Sequence, residues 1–336
     1  MSRKTFGILG AVASLALSGI LAGCGAGSEV MASGEHPEWG DLTITIADNG
    51  GDGSEELSKA SGVFDDADYK VKFARFDFGP PLVAAAQTGD IDLGYVGNVP
   101  PITGAAKDLD FRVVGTTRSL NPDQASENII VPKDSPIKTL ADLKGKKLAI
   151  PQGSSAHGLA LSAIQSVGLT TDDVQFVFLD PAAGQTAFST GKVDAWSIWN
   201  PQSALAVEAG ARVIAAGLPP IDQTSAYYVA SKKSLDDPTR RAAVTDAFKR
   251  LAKAFAWGNA HTDDFAKAIS KETGISLDDA KSTLPSFQRR TQPVLDSDIE
   301  AQQKLADNFY NAGEITTKVD FKQIVDNLLP ADYNVG

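Results

Sequence analysis

Pro151-Gln152-Gly153-Ser154-Ser155-Ala156-His157 sets two hydroxyls and an imidazole where a β-rich run ends and a helical pattern begins. The first N–H groups of a helix have no partner inside it, so a turn of this kind is suited to holding an anion. A plain helix cap by Ser154 or Ser155 explains the same string equally well, and a lone histidine is more often structural. Gly94-Tyr95-Val96-Gly97-Asn98-Val99-Pro100-Pro101 also closes a strand. There Gly97 lets the backbone approach a ligand and Asn98 offers an amide, although loop punctuation alone accounts for the pattern. In Ala195-Trp196-Ser197-Ile198-Trp199-Asn200-Pro201 the two indoles are three residues apart, and on a strand they face opposite sides. Trp199 is assigned to the binding side and Trp196 to the core, with burial of both as the competing account. Arg118, at a strand end in Thr117-Arg118-Ser119, is a candidate cation for an oxyanion; an exposed surface arginine is the alternative. His36 and His261 invite no role. No metal site is expected, because paired histidines, cysteine clusters and calcium-loop patterns are missing. No cofactor is expected either, since phosphate and dinucleotide glycine motifs are missing too.

The elements that must position these groups alternate in α/β order. Strands are predicted over 42–47, 69–76, 91–95 and 111–117, each bounded by Gly, Pro, Asp or Asn, with helices over 81–88 and 101–107. A second series of strands, 128–131, 147–150, 174–178, 195–198 and 212–215, is interleaved with helices over 156–167, 184–190 and 202–209. After a strand at 227–230 the texture changes to amphipathic helices over 237–257, 262–273, 277–283 and 296–312, with no strand series in the tail. That order predicts two α/β lobes with a cleft between them and a helical C-terminal region. Residues 41–127 form the first part of lobe 1, 128–224 form lobe 2, and 225–336 return to lobe 1. Ligands favour such clefts and the carboxyl ends of strands.

Composition limits what the cleft can serve. The 336 residues carry a formal charge of −11, which argues against nucleic acid and anionic lipid surfaces. The single cysteine, Cys24, ends Leu21-Ala22-Gly23-Cys24 behind an uncharged run that follows Arg3 and Lys4. This has the anatomy of a secretory leader over 1–23, and its four-residue ending resembles the bacterial lipobox, in which the cysteine sulfur receives a lipid. An uncleaved membrane helix is the alternative, and a poor one given its glycines and serines. Residues 24–40 read as a flexible tether, which places the body outside the cell, anchored to the membrane through lipidated Cys24. With one cysteine no internal disulfide can form, so the body must be held by its core.

Together the strings "GYVGNVPPI" at 94–102, "VPKDSPIKTLADLKGKKLAIPQGSSAH" at 131–157 and "VDAWSIWNP" at 193–201 resemble the substrate-binding proteins of ABC transporters for aliphatic sulfonates, within the nitrate/sulfonate/taurine group. The helical tail, with "AFAWGNAH" at 254–261, fits as well. The resemblance implies a type II periplasmic-binding-protein fold. It also implies a monomeric, non-catalytic protein that closes on a small anionic sulfonate and delivers it to an ABC permease, and through that to the ATPase, for sulfur acquisition. By the same resemblance Gly153, Ser154, Ser155, Ala156 and His157 hold the sulfonate, and Asn98 and Trp199 line the cleft. Asn49, Gly50 and Gly51 contribute backbone donors, and Tyr228 or Phe78 joins Trp199 against the ligand's apolar tail. Many relatives carry Asp where this chain has Asn98 and Asn200. The loss of negative charge favours a plain alkane- or aryl-sulfonate over taurine, with nitrate and bicarbonate as further alternatives. Desulfinases of the same fold use a cysteine nucleophile, and here the one cysteine belongs to the lipobox.

Overall fold

A computed structural model describes residues 36–222 and 225–335. The expectations placed on the leader, on Cys24 and on residues 24–35 of the tether lie outside the described residues. The last stretch of the expected tether is packed structure: Trp39 is buried in the core, and His36 stacks on it with ring centroids 3.9 Å apart.

Runs rich in β-branched and aromatic residues build two separate sheets. The chain first lays down β1 (Thr43–Asn49), β2 (Lys70–Phe76), β3 (Leu93–Gly97) and β4 (Phe111–Ser119), with α1 (Ser54–Ser61), α2 (Gly79–Thr88) and α3 (Val99–Ala105) between them. It then crosses to β5 (Glu127–Val131), β6 (Lys147–Ile150), β7 (Gln175–Phe178), β8 (Ala195–Trp199) and β9 (Arg212–Ala216), with α4 (Ser155–Ser166), α5 (Pro181–Ser189) and α6 (Gln202–Glu208) as connections. β10 (Ala226–Ser231) brings it back. After it come α7 (Lys232–Asp236), α8 (Pro238–Ala260), α9 (Thr262–Thr273), α10 (Leu277–Thr283), β11 (Arg289–Gln292) and α11 (Asp296–Asn311).

The first sheet has the order β11-β4-β10-β3-β1-β2 and the second β7-β6-β8-β5-β9. In both, strands joined by crossover helices run parallel: β1 with β2 and β3, and β6 with β7 and β8. The strands that arrive from the other lobe run antiparallel, β10 beside β3 and β4, and β5 beside β8 and β9. Covered on both faces, these sheets need apolar residues on both sides of a strand, and every residue of β10 is buried.

One face of the first sheet is covered by α8, whose Val244, Ala247, Phe248, Leu251 and Phe255 pack with Ile44, Ile46, Leu93 and Tyr228. α8 starts cleanly: Pro238 occupies the first turn, and Asp237 accepts hydrogen bonds from the Thr239 and Arg240 N–H groups. Such a cap contributes about 1 kcal/mol. The opposite face carries Leu82, Val83, Ile102 and Phe309 around Phe111, Val113 and Tyr227. The second sheet is filled by Leu159, Ala163 and Ile164 of α4 on one side and by Trp196 and Ile198 with their neighbours on the other.

The tail contains a strand where the sequence predicted only helices. β11 pairs antiparallel with the end of β4, Arg289 opposite Ser119 and Thr291 opposite Thr117. Its residues, Arg-Arg-Thr-Gln, hold no apolar side chain, so there is no alternation to read. The polar helix α1 and the five-residue α7 also went unpredicted, for want of a repeating apolar face.

Candidate functional site

The carboxyl ends of β1, β3, β4 and β8 converge on a cavity of about 1110 Å3 between the two sheets, counting space open to solvent. The loop after β1 supplies Asn49, Gly50 and Asp52, and β3 ends there in Gly97 and Asn98. Facing them are Glu127 at the start of β5, Ser154 and Ser155 at the start of α4, Trp199 and Asn200 at the end of β8, and Asp222.

The lobes touch across this cavity. A Cβ on Gly97 would lie 2.8 Å from Ser155 Cβ, so only a glycine admits the α4 terminus this closely. A Cβ on Gly50 would lie 3.9 Å from Trp199 Nε1, and Asn98 Nδ2 donates to Asp222 Oδ1 at 3.2 Å. Trp196, three residues before Trp199, is buried against Phe188.

Several expected donors are already engaged. Ser154 Oγ donates to the Pro151 carbonyl at 2.6 Å, and Ser155 Oγ donates to Glu127 Oε2 at 2.7 Å. Asn200 holds its own loop, donating to the Ala125 carbonyl at 3.4 Å and accepting from the Ala204 N–H at 3.2 Å. At the α4 terminus the His157 and Gly158 N–H groups bond the Ser154 carbonyl, and that of Ser155, a residue of the cavity wall, has no partner inside the helix.

Seven expected residues do not line the cavity, and one of them, Phe78, is half-buried at the start of α2. Arg118 lies between Thr117 and Ser119, both of which do, and the alternation of a strand turns it to the other face, where it pairs with Asp298. His157 points away as well. Gly153 N–H donates to its Nδ1 at 3.3 Å, its Nε2 lies 3.3 Å from Glu314 Oε2, and Phe176, Phe178 and Phe309 pack edge-on around the ring. His157 and Gly153 belong instead to a second cavity of about 630 Å3. Ala156 is buried, its carbonyl accepting from Ser197 Oγ at 2.8 Å. Gly51 turns inward with φ +78°, its N–H donating to Asp48. Tyr228 lies in the core against Tyr95 and Phe248, where burial pushes its hydroxyl up to about 12.

The cation of the cavity is Arg289, from the unpredicted strand β11. Its guanidinium sits 3.9 Å from the ring centroids of both Tyr95 and Phe255 and donates to Asp52 Oδ2 at 2.5 Å. Burial works against its charge, but Tyr95 and Asp52 hold its proton more firmly than usual. The acids of the wall, Asp52, Glu127 and Asp222, also went unread. Glu127 stands alone before an apolar strand, and a charged residue in that position is the one cue the sequence offered. Its carboxyl is pushed well above the ordinary range, first by burial and then by the charge of Asp222.

Behind Asp52, the oxygens of Asp48, Asp52 and Glu272 lie within 4.8 Å of one another. Protein donors occupy them: the Gly51 and Asp52 N–H groups on Asp48, the Gly53 and Glu56 N–H groups on Glu272, and Arg289 on Asp52. Burial first, then neighbouring acids, raises Asp48 to about 6 and Glu272 to about 9.

Residues 58–261 match the family described as NMT1/THI5 like. The chain belongs to that family. It is 34% identical over 256 residues to a putative aliphatic sulfonates-binding protein of Escherichia coli (strain K12), covering 76% of this chain and 78% of the relative. It is 32% identical over 334 residues to the protein of the same description in Bacillus subtilis (strain 168), covering 95% and 94%. Among solved structures, the alkanesulfonate-binding protein of Xanthomonas axonopodis pv. citri bound to MOPS superposes with a TM-score of 0.78 at 30% identity, over 85% of this chain and 98% of that one. Two α/β lobes around a cleft are thus the periplasmic-binding-protein fold. Among the described residues, no helix is long and apolar enough to cross a membrane.

Proposed function

We propose that this protein is the extracytoplasmic solute-binding component of an ABC importer and takes an alkane- or aryl-sulfonate into the interlobe cavity for sulfur acquisition. The observation that carries this reading is the meeting of the α4 N-terminus and the Arg289 guanidinium on one cavity, in a chain whose relatives are named for aliphatic sulfonates. A sulfonate is ionised at any biological pH and only accepts hydrogen bonds. The α4 backbone N–H groups and the end of the helix dipole favour it. Arg289 adds a charged, planar donor, and Trp199 offers its ring to the apolar tail. Lobe 2 (128–224) closes on lobe 1 (41–127 with 225–336), because the closed form makes more ligand contacts than the open one. The closed form is then read by the permease. Lipidation of Cys24 keeps the protein at the membrane, and Cys24→Ala should move it to the soluble fraction with ligand affinity unchanged. We assign no catalytic step and no cofactor.

Asp52, Glu127 and Asp222 in the same wall favour a second cargo, an aminosulfonate such as taurine, whose ammonium would meet a carboxylate. A thermal-shift panel of butanesulfonate, benzenesulfonate, taurine, sulfate, nitrate and bicarbonate separates the cargoes. A ligand at 100 times its Kd adds about 2.7 kcal/mol to stability. The expected result is stabilisation by the two plain sulfonates above all others; no shift with any sulfonate would overturn the reading.

A further inference from the structure

Two buried carboxyl groups share the cleft wall. Glu127 opens β5 and Asp222 lies on the segment leading from β9 back to β10; they are 3% and 6% exposed. Gly217 measures their approach: a Cβ there would meet Glu127 Cγ at 2.9 Å and Asp222 Oδ2 at 3.3 Å. Among the described contacts each accepts from a neutral donor, Glu127 from Ser155 Oγ at 2.7 Å and Asp222 from Asn98 Nδ2 at 3.2 Å. The guanidinium in the cavity is held by Asp52 instead. Two desolvated carboxyls this close do not both ionise, since the second charge must form beside the first without water to screen it. The upward push on Glu127 from burial and from Asp222 agrees with this geometry.

We propose that Glu127 and Asp222 hold one proton between them, and that closing the cleft on a sulfonate tightens their grip on it, so that ligand binding is linked to proton uptake. The proposal rests on the sulfonate reading above. The sign follows from electrostatics. Once enclosed, a permanent anion beside the pair disfavours loss of its proton. The liganded protein therefore binds more protons than the free one over the window where the pair titrates, and affinity weakens as pH rises through it. An ammonium-bearing ligand would do the opposite, drawing the proton off and binding better at higher pH.

Tyr95, Asp52 and Arg289 line the same cavity from lobe 1. On the elements packed against β5, β8 presents Ser197 and Trp199, β9 carries Arg212 opposite Val131 with its guanidinium on the Lys133, Ser135 and Ile137 carbonyls, and α6 presents Ser203 to Asn128, while its Glu208 accepts from Ser282. α4 contributes Ser155, with His157 turned to the second cavity. A neutral pair also changes the donor inventory: while Glu127 is ionised the Ser155 hydroxyl is drawn to it, and once Glu127 carries the proton that hydroxyl can turn to the ligand.

The test is calorimetric titration of butanesulfonate from about pH 6 to 9, at each pH in buffers of different ionisation enthalpy. Phosphate and Tris serve because neither is a sulfonate. Wild-type protein is expected to take up a fraction of one proton on binding, with Kd rising by up to about tenfold per pH unit. Glu127→Gln should flatten that slope whatever its affinity, and Asp222→Asn serves if the first variant does not fold. Thermal unfolding of the ligand-free protein over the same range reads the pair without a ligand: wild type should lose stability with rising pH more steeply than Glu127→Gln. Binding with no proton exchange, proton release in place of uptake, or an undiminished slope in both variants would overturn the linkage and leave the sulfonate reading standing. Absence of binding at every pH would overturn the sulfonate reading, and the linkage with it.

Discussion

Arg289 is held by two aromatic faces and a buried carboxylate, and each makes its removal costly. Without the guanidinium, Asp52 at 3% exposure loses its cationic partner and keeps only the Ser54 N–H and hydroxyl, and breaking a buried ion pair typically costs about 3–5 kcal/mol. Arg289→Ala is therefore expected to lower Tm and to weaken butanesulfonate binding at least tenfold, and adding Asp52→Asn should recover stability without recovering affinity. His157→Ala should behave in the opposite way. Its ring packs against three phenylalanines and faces the second cavity, so Tm falls while Kd stays within about threefold. Calorimetry and melting curves on the two variants separate these roles, and a large affinity loss in His157→Ala would return the imidazole to the ligand. Arg118 shows where reading from sequence stopped short. Its strand was legible, and a period of two between Thr117 and Ser119 already turned Arg118 away from whatever those two face.

At the scale of elements, the closed cleft depends on a strand end meeting a helix end. Gly97→Ala puts a methyl group 2.8 Å from Ser155 Cβ, closer than two such carbons approach. The variant should fold with near-native Tm but resist closure, weakening ligand affinity by tenfold or more. Gly97→Ala with Ser155→Gly should restore much of it, and small-angle scattering with saturating ligand should show the single variant more open than wild type. Most strands were legible because Val, Ile and Phe cluster between turn residues, and the long helices because apolar residues recur along one face. β11 was not, because an edge strand of four polar residues is specified by its partner β4 rather than by its own composition. The site was legible where loops carried Gly, Asn and Trp in register with strand ends. Its acids and its true cation were not, since the pairing of Arg289 with Asp52, 237 residues apart, exists only in three dimensions.

For the whole molecule, the buried acids behind the cleft set the response to pH. Glu272 rises from 4.5 to about 9 and Asp48 from 3.8 to about 6, both chiefly through burial. A raised carboxyl pKa means that unfolding releases a proton in the interval between the two values. Stability is therefore fully present below the unfolded pKa and lost as pH climbs through the folded one, over about 4.5 to 9 for Glu272 and 3.8 to 6 for Asp48. Melting curves should place the most stable point near pH 5 and show a decline toward pH 9, shallower in Glu272→Gln although that variant starts lower for want of an acceptor to the Gly53 or Glu56 N–H. The order of the first sheet bears on how the chain is made. β4 lies between β10 and β11, so when it emerges from the ribosome neither of its neighbours yet exists, and more than a hundred residues must follow before the first arrives. Lobe 2 lies wholly inside that interval and can condense first. Lobe 1 stays an open sheet until the tail is finished, so the last strands to be made are the ones that complete its hydrogen bonding.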